Sequence, residues 1–305
     1  MHSKTSGEPR SLLFVPADAK RFIAKAGLRG ADIVVLDLED GVAPISKAIA
    51  RAELLAAAEQ LRNMNASVYV RVNHVPELLG EDVKAAVFSG ADGIVMPKVE
   101  QPQQLLELDD LISRAELLAG RSAGAVRVIA LIETPIGVCR AFDIAQSSSR
   151  LTAMCLGSED FATAMGVEPS PESLAWPAQA VAVAAVAAGL QPLGIAGSVA
   201  NFSDIAAYRE LIVLSKRLGM RGATCIHPAQ VEVLNDVFGG TDSEVAAAER
   251  VVAAFEAALL EGKGAIALDG QMIDEPIANR AKLFLLKRRS HTGKAMSSHT
   301  GNGVR

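Results

Sequence analysis

The sequence predicts an α/β fold, a (β/α)8 TIM barrel followed by a C-terminal helix-hairpin-helix extension, and three observations carry that expectation. Short β-branched apolar runs alternate with longer alanine- and leucine-rich stretches, the pattern of a parallel sheet with crossover helices. Eight such units fit within about 240 residues, the span of a closed barrel of this type. After them, Gly239-Gly240-Thr241-Asp242 breaks the alternation and a different pattern begins. Periodicity does not show closure, so a doubly wound open sheet stays as the alternative.

Strands are expected at 11–15, 32–38, 68–72, 93–97, 127–132, 151–156, 191–195 and 223–226. Most are nearly all apolar, as strands covered on both faces must be. Helical composition fills 18–28, 45–64, 77–89, 101–119, 171–188 and 203–218, several of these ending at glycine. Past the barrel, 11–238, Ser243 is the expected N-cap of a helix reaching about residue 261. Asp269-Gly270 between 265–268 and 271–273 reads as the two-residue turn of a hairpin, and a last helix spans 276–287. This makes 243–287 an extension or lid, with a flexible N-terminus over 1–10 and a disordered tail over 288–305.

Composition narrows the function classes. Half of the 305 residues are hydrophobic and 21% are charged, which excludes bulk disorder. No apolar run approaches the roughly 20 residues of a membrane helix, and the polar start lacks a secretory h-region, so a cytoplasmic protein without a membrane partner is expected. A net charge of −5 and 4% aromatic residues argue against nucleic acid. Cys139, Cys155 and Cys225 lack zinc-like spacing and sit in apolar contexts that suit small buried side chains.

In a parallel barrel the chemistry lies at the C-terminal strand ends. Reading those ends gives the cluster Asp37, Glu39 and Asp40, then Arg71, Lys98, Glu133, Asp160, Gly197 with Ser198, and His227. Charges at the ends of apolar runs are costly unless they are paired or bind something, so a shared polar site accounts for them economically. Glu133 and Asp160 end adjacent strands and form a hard-cation pair suited to magnesium, which takes one or two carboxylates and completes its shell with water and substrate. A pair neutralised by Lys98 or Arg71 is the alternative. Arg71 offers a planar fork for a carboxylate or enolate oxygen, unless it faces the helix layer. For Lys98 an ion pair with the acidic cluster is preferred over a Schiff base. His227 either positions substrate or serves as a structural hydrogen-bonding group. No Walker loop, no Gly-x-Gly-x-x-Gly and no Gly-x-Ser-x-Gly elbow follows a strand.

These residues resemble a known family, the β-subunit of citrate lyase with its stand-alone malyl-CoA and citramalyl-CoA lyase relatives, the HpcH/HpaI aldolases. The resemblance rests on eight segments in order: 10–17 (RSLLFVPA), 36–42 (LDLEDGV), 70–73 (VRVN), 96–100 (MPKVE), 132–137 (IETPIG), 157–160 (GSED), 226–230 (IHPAQ) and 269–274 (DGQMID). It implies a TIM-barrel lyase dependent on Mg2+, with Mn2+ as an alternative, assembled as a homotrimer or hexamer. Glu133 and Asp160 look like the metal ligands and Arg71 like the residue on the substrate oxygens. Glu39, Asp40, Lys98 and His227 stand as further substrate-binding candidates. Asp274 resembles the family's acid/base carboxylate, which reaches a neighbouring subunit; on its own it would read as a helix cap. Where many relatives carry an arginine and an aspartate around the seventh strand, this chain has Trp176-Pro177 and Leu193-Gly194.

The resemblance implies cleavage or formation of a hydroxyacyl-CoA thioester such as citramalyl-CoA, malyl-CoA or citryl-CoA, giving an acyl-CoA and a small oxoacid. A malyl-CoA-type thioesterase and a non-catalytic subunit of a larger lyase complex are the competing readings.

Overall fold

The computed structural model describes residues 8–298, with side chains through Arg288. Two compact units emerge, Pro9–Phe238 and a second that begins at Gly239 and also takes in Glu8.

In the first unit eight parallel strands alternate with helices: β1 (Ser11–Pro16), α1 (Lys20–Ala26), β2 (Ile33–Asp37), α2 (Lys47–Asn63), β3 (Val68–Arg71), α3 (Pro76–Phe88), β4 (Gly93–Met96), α4 (Pro102–Leu118), β5 (Arg127–Ile132), α5 (Pro135–Cys139), α6 (Ala141–Ala145), β6 (Leu151–Leu156), α7 (Ser158–Met165), α8 (Pro171–Ala187), β7 (Gln191–Gly194), α9 (Ile205–Arg217), β8 (Ala223–Cys225) and α10 (Pro228–Gly239). All eight expected strands are present, in the sheet order β7-β6-β5-β4-β3-β2-β1-β8. The remaining seam is closed by the Arg221 N–H on the Pro192 carbonyl at 2.9 Å and the Gly194 N–H on the Gly222 carbonyl at 3.0 Å. The sheet is therefore a barrel, and the open doubly wound alternative falls. Gly194 has φ 143°, and a Cβ there would lie 3.1 Å from that of Leu156. A side chain at that position would strain the backbone and press β7 against β6.

Strand alternation divides the interior into two cores. Leu12, Ile33, Val35, Tyr69, Val95, Ile129, Leu131, Ala153, Cys155 and Leu193 pack together inside the barrel. The intervening residues, such as Leu13, Val34, Val70, Ile94, Ala130 and Met154, pack in the larger core that includes the helices. Continuing the inward set by one step gives Asp37 after Val35, Arg71 after Tyr69, Glu133 after Leu131 and Gly157 after Cys155. The polar site is the next layer of the barrel filling.

Three short helices, α5, α6 and α7, lie outside the expected helical stretches. The first is signalled by Thr134 before Pro135, where the threonine side chain accepts from the Gly137 N–H. The expected flexible N-terminus, 1–10, falls mostly on residues outside those described. Arg10 itself is anchored, with Nε and Nη2 on the Asp32 carboxylate at 2.9 and 3.0 Å. Cys155 and Cys225 are buried, but Cys139 is exposed at the end of α5, against the expectation for that residue.

The second unit holds α11 (Asp242–Leu260), β9 (Ala265–Leu268), β10 (Gln271–Asp274) and α12 (Glu275–Ser298). The N-cap of α11 is Thr241 rather than Ser243, because Thr241 and Glu244 form a reciprocal capping box at 3.1 and 2.8 Å. Asp269 and Gly270 both have positive φ, 51° and 78°, the geometry of a type I′ turn joining the antiparallel pair. Phe255, Ile273 and Ala278 form this unit's own small core. Helix α12 runs to Ser298, past the expected stop near 287, since lysine is a good helix former, Ser, His and Thr are only mildly unfavourable and one glycine costs only about 1 kcal/mol. Of the expected tail, 299–305 lies outside the described residues. Among the described residues no helix is long and apolar enough to cross a membrane.

Candidate active site

A cavity of about 800 Å³ opens at the C-terminal ends of the barrel strands, and its wall includes Phe14, Asp37, Arg71, Glu133, Asp160 and His227. Register sets the first contact. Asp37 and Arg71 are direct neighbours across β2 and β3, and Arg71 Nε and Nη2 grip Asp37 Oδ1 and Oδ2 at 2.7 and 2.6 Å. The guanidinium also lies 5.1 Å over the Phe14 ring. Its third nitrogen, Nη1, is 3.1 Å from Glu39 Oε2. Arg71 faces the barrel interior, not the helix layer, and Asp37 engages two of its donors. Burial alone would lower the Arg71 pKa, but Asp37, Glu39 and Glu133 together hold it above its ordinary value.

Glu39 is 3% exposed and stands among Arg71, Lys98 Nζ at 3.2 Å and His74 Nδ1 at 3.4 Å. Neither of its oxygens has an aligned hydrogen bond among the described residues. Burial, with the Asp40 charge, raises its pKa more than Arg71 and Lys98 lower it. The preferred pairing of Lys98 with the acidic cluster is what the structure shows. Burial lowers the Lys98 pKa, but the Glu39 and Asp40 charges prevail and raise it. A Schiff-base amine needs the opposite. Lys98 also adopts a left-handed backbone, φ 51°, which aims its N–H at Glu133 Oε2 over 2.7 Å.

Glu133 follows β5 and is 3% exposed. Burial first, and the neighbouring Asp160 charge second, push its carboxyl up to about 7. Asp160 is not on a strand end as expected. It is the third residue of α7, carried there by a turn at Gly157. Gly157 makes room: a Cβ on it would stand 2.4 Å from Glu133 Cγ and 2.8 Å from Oε1. Arg71 and Lys98 are directed to Asp37 and Glu39, so among the described residues neither Glu133 nor Asp160 has a salt-bridge partner. Two oxygen-donor groups beside a cavity, one of them strongly buried, fit a hard divalent cation. Among the described residues no three His, Cys, Asp or Glu side chains form a metal cage, so these two would hold the ion with water or substrate oxygens.

Asp40 and His227 reach the cavity wall, whereas Glu39 and Lys98 are not among its lining residues. The His227 ring stacks on Phe202 at 4.8 Å and its Nδ1 accepts from the Ala229 N–H at 3.2 Å. Ser198 donates to Glu159 at 2.6 Å, tying the loop after β7 to α7. Asp274 belongs to the second unit, where its Oδ1 accepts from the Ile277 N–H at 3.3 Å, a helix cap. Sequence reasoning missed the Asp37 fork, His74, Phe14 and the basic row Arg21, Lys25 and Arg29 on the cavity wall. The spacing of four residues in that row was the available signal.

Comparisons with known proteins follow the same outline. The family profile HpcH/HpaI aldolase/citrate lyase matches residues 10–228. The citrate lyase subunit beta of Escherichia coli (strain K12) is 36% identical over 279 residues, 90% of this chain and 92% of its own. The L-malyl-CoA/beta-methylmalyl-CoA lyase of Rhodobacter capsulatus is 30% identical over 299 residues, 90% of this chain and 93% of its own. The crystal structure of the protein CitE from Mycobacterium tuberculosis in complex with magnesium, acetoacetate and coenzyme A superposes with a TM-score of 0.74 at 29% identity, covering 93% of this chain and 98% of that chain.

Proposed function

The chain belongs to the HpcH/HpaI aldolase/citrate lyase family, and from that premise we propose that it is a magnesium-dependent carbon–carbon lyase of a hydroxyacyl-CoA thioester. Citramalyl-CoA, malyl-CoA and citryl-CoA are the candidate substrates, each giving an acyl-CoA and an oxoacid. The observation that carries this reading is the buried Glu133 beside Asp160, two carboxylates on one cavity that have no salt-bridge partner among the described residues. Solved relatives whose complexes contain magnesium with coenzyme A or oxaloacetate support it.

In this reading Glu133 and Asp160 hold the ion, and the chemistry a bound magnesium supplies is polarisation of the substrate's hydroxyl or keto oxygen. Arg71, locked by Asp37, presents Nη1 to the substrate hydroxyl oxygen, which gathers negative charge as its proton leaves to water and becomes the oxoacid carbonyl as the electron pair of the broken carbon–carbon bond passes to the thioester enolate. His227 and Asp40 orient the polar end of the substrate, with Glu39 and Lys98 supporting Arg71. Arg21, Lys25 and Arg29 form a basic row for the phosphates of the CoA carrier. Phe14, Leu131 and Ile226 give the wall apolar surface that excludes water from an enolate. Asp274 delivers a proton to the thioester enolate carbon after the carbon–carbon bond breaks, or removes it in the synthetic direction. The reading includes a homotrimer or hexamer in the cytoplasm, as the family resemblance implies.

The test is a panel of malyl, citramalyl, citryl and 3-hydroxy-3-methylglutaryl thioesters with magnesium, read for oxoacid and free thiol. Oxoacid release with the thioester retained supports the lyase. Free thiol without oxoacid makes the protein a thioesterase. No turnover, with co-purifying partner chains, makes it a subunit of a larger complex.

A further inference from the structure

Lys47 opens α2, and its ammonium points at the main chain of the site wall. Nζ donates to the carbonyls of Leu38 and Glu39, each at 2.9 Å, and to Asn73 Oδ1 at 2.6 Å. An ammonium has three donors, so none remains for a ligand. Asn73 extends the link: its Nδ2 donates to the Leu38 carbonyl at 2.9 Å and to Asp82 Oδ2 at 2.6 Å. Asp82, 1% exposed, takes Arg51 Nε on its other oxygen at 2.6 Å. This tier, part-buried at Lys47 and Arg51 and buried at Asn73 and Asp82, joins α2, α3 and the ends of β2 and β3.

Its consequence falls on Glu39. The Glu39 N–H donates to Asp37 Oδ1 at 2.9 Å and its carbonyl accepts from Lys47, so both main-chain polar groups are held. The carboxylate is the reverse, nearly sealed from solvent and held by charge, without one aligned hydrogen bond among the described residues. Such a group is costly where it stands. Its place among Arg71, Lys98 and His74 is imposed from the backbone.

We propose that Lys47 is a positioning residue of this site, acting through the Leu38 and Glu39 carbonyls to fix the Glu39 carboxylate, which orients Arg71 and Lys98. Lys47 touches no substrate. Replacing it with methionine keeps the length of the chain and removes all three donors.

Two measurements test this, and only the second rests on the lyase reading. In Lys47→Met, amide exchange at Glu39, Gly41 and Val42 should quicken by more than about tenfold while β5 and β6 keep their protection. With whichever thioester the panel identifies, kcat should fall roughly 10- to 100-fold with KM nearly unchanged, the range seen when outer-shell partners are lost. In a Glu39→Gln background the same change should cost little more, because both act through one group. Lys47→Gln, which retains two donors, should give intermediate exchange and serves if Lys47→Met does not fold. Unchanged exchange at those amides, or kcat losses that multiply in the double variant, overturns the proposal. If the panel shows no turnover, the lyase reading falls and the exchange result decides the role of Lys47 by itself.

Discussion

Asp37 and Arg71, neighbours on adjacent strands, close a two-point fork of 2.7 and 2.6 Å, so the guanidinium is oriented by the barrel before any ligand arrives. Arg71→Lys keeps the charge but cannot span both carboxylate oxygens. The expected result is a loss in kcat/KM of about 100-fold, the scale of losing one preorganised donor to a developing anion. Steady-state kinetics check it, and near-wild-type values would move Arg71 to a purely structural role.

Magnesium should raise the melting temperature of the wild-type protein, since a ligand at a hundred times its Kd adds about 2.7 kcal/mol to the folded state. Glu133→Gln and Asp160→Asn should each abolish that increment as well as turnover, and a chelator should do the same to the wild type. A magnesium-dependent melt that survives in both variants puts the ion elsewhere.

Gly157→Ala tests the room given to Glu133. The backbone at Gly157, φ −85° and ψ 95°, suits alanine. The methyl, however, would fall 2.4 Å from Glu133 Cγ. Overpacking of this kind costs about 1–3 kcal/mol, so the protein should still fold. Magnesium affinity by calorimetry should weaken roughly 10- to 100-fold, as when a ligand's supporting shell is disturbed. Unaltered affinity would show that Glu133 is free to move aside.

Much of this site was legible in the sequence because inward-facing strand positions recur every second residue. Extending each apolar run by two places leads to Arg71 and Glu133. Asp37 was visible as part of an acidic cluster, but its partner was not, since a partner depends on inter-strand register. Gly157 carried no chemical signal because its contribution is an empty volume. Asp160 was placed one element early, as composition does not reveal where a turn ends and a helix begins. Closure between β7 and β8 depends on two main-chain hydrogen bonds, which side-chain patterning cannot encode.

At the opposite end of the barrel, Glu116 accepts from Arg150 Nη1 and Nη2 at 2.9 and 2.8 Å and from the N–H groups of Val126 and Gly124. Burial would raise its pKa, but Arg150 and those N–H groups prevail and hold it below its ordinary 4.5. A carboxylate depressed by folding stabilises above its unfolded pKa and loses that contribution as pH falls through the folded one. Glu116→Gln should therefore destabilise by about 3–5 kcal/mol near neutral pH, the cost of breaking a buried pair. The gap from wild type should narrow as the pH is taken below the ordinary carboxylate range, which denaturant melts across an acidic pH series will show.

Asp274 is expected to serve a neighbouring subunit. Mixing Asp274→Asn with Glu133→Gln, each inactive alone, should restore part of the activity after dissociation and reassembly. Some sites in the mixed oligomer then pair an intact cation site with an intact aspartate, within the about 3 Å that proton transfer requires. Absence of recovery despite proven subunit exchange would falsify action in trans.

The seam at Gly194 and Gly222 gives the cylinder a line of parting. Above it, Gln230 Nε2 donates to the Val199 carbonyl at 2.9 Å and Phe202 lies on His227. One lip of the slit is thus buttoned to the other by the loop after β7. Parting β7 from β8 therefore means undoing that amide hydrogen bond and lifting Phe202 off the imidazole, besides breaking the two main-chain links.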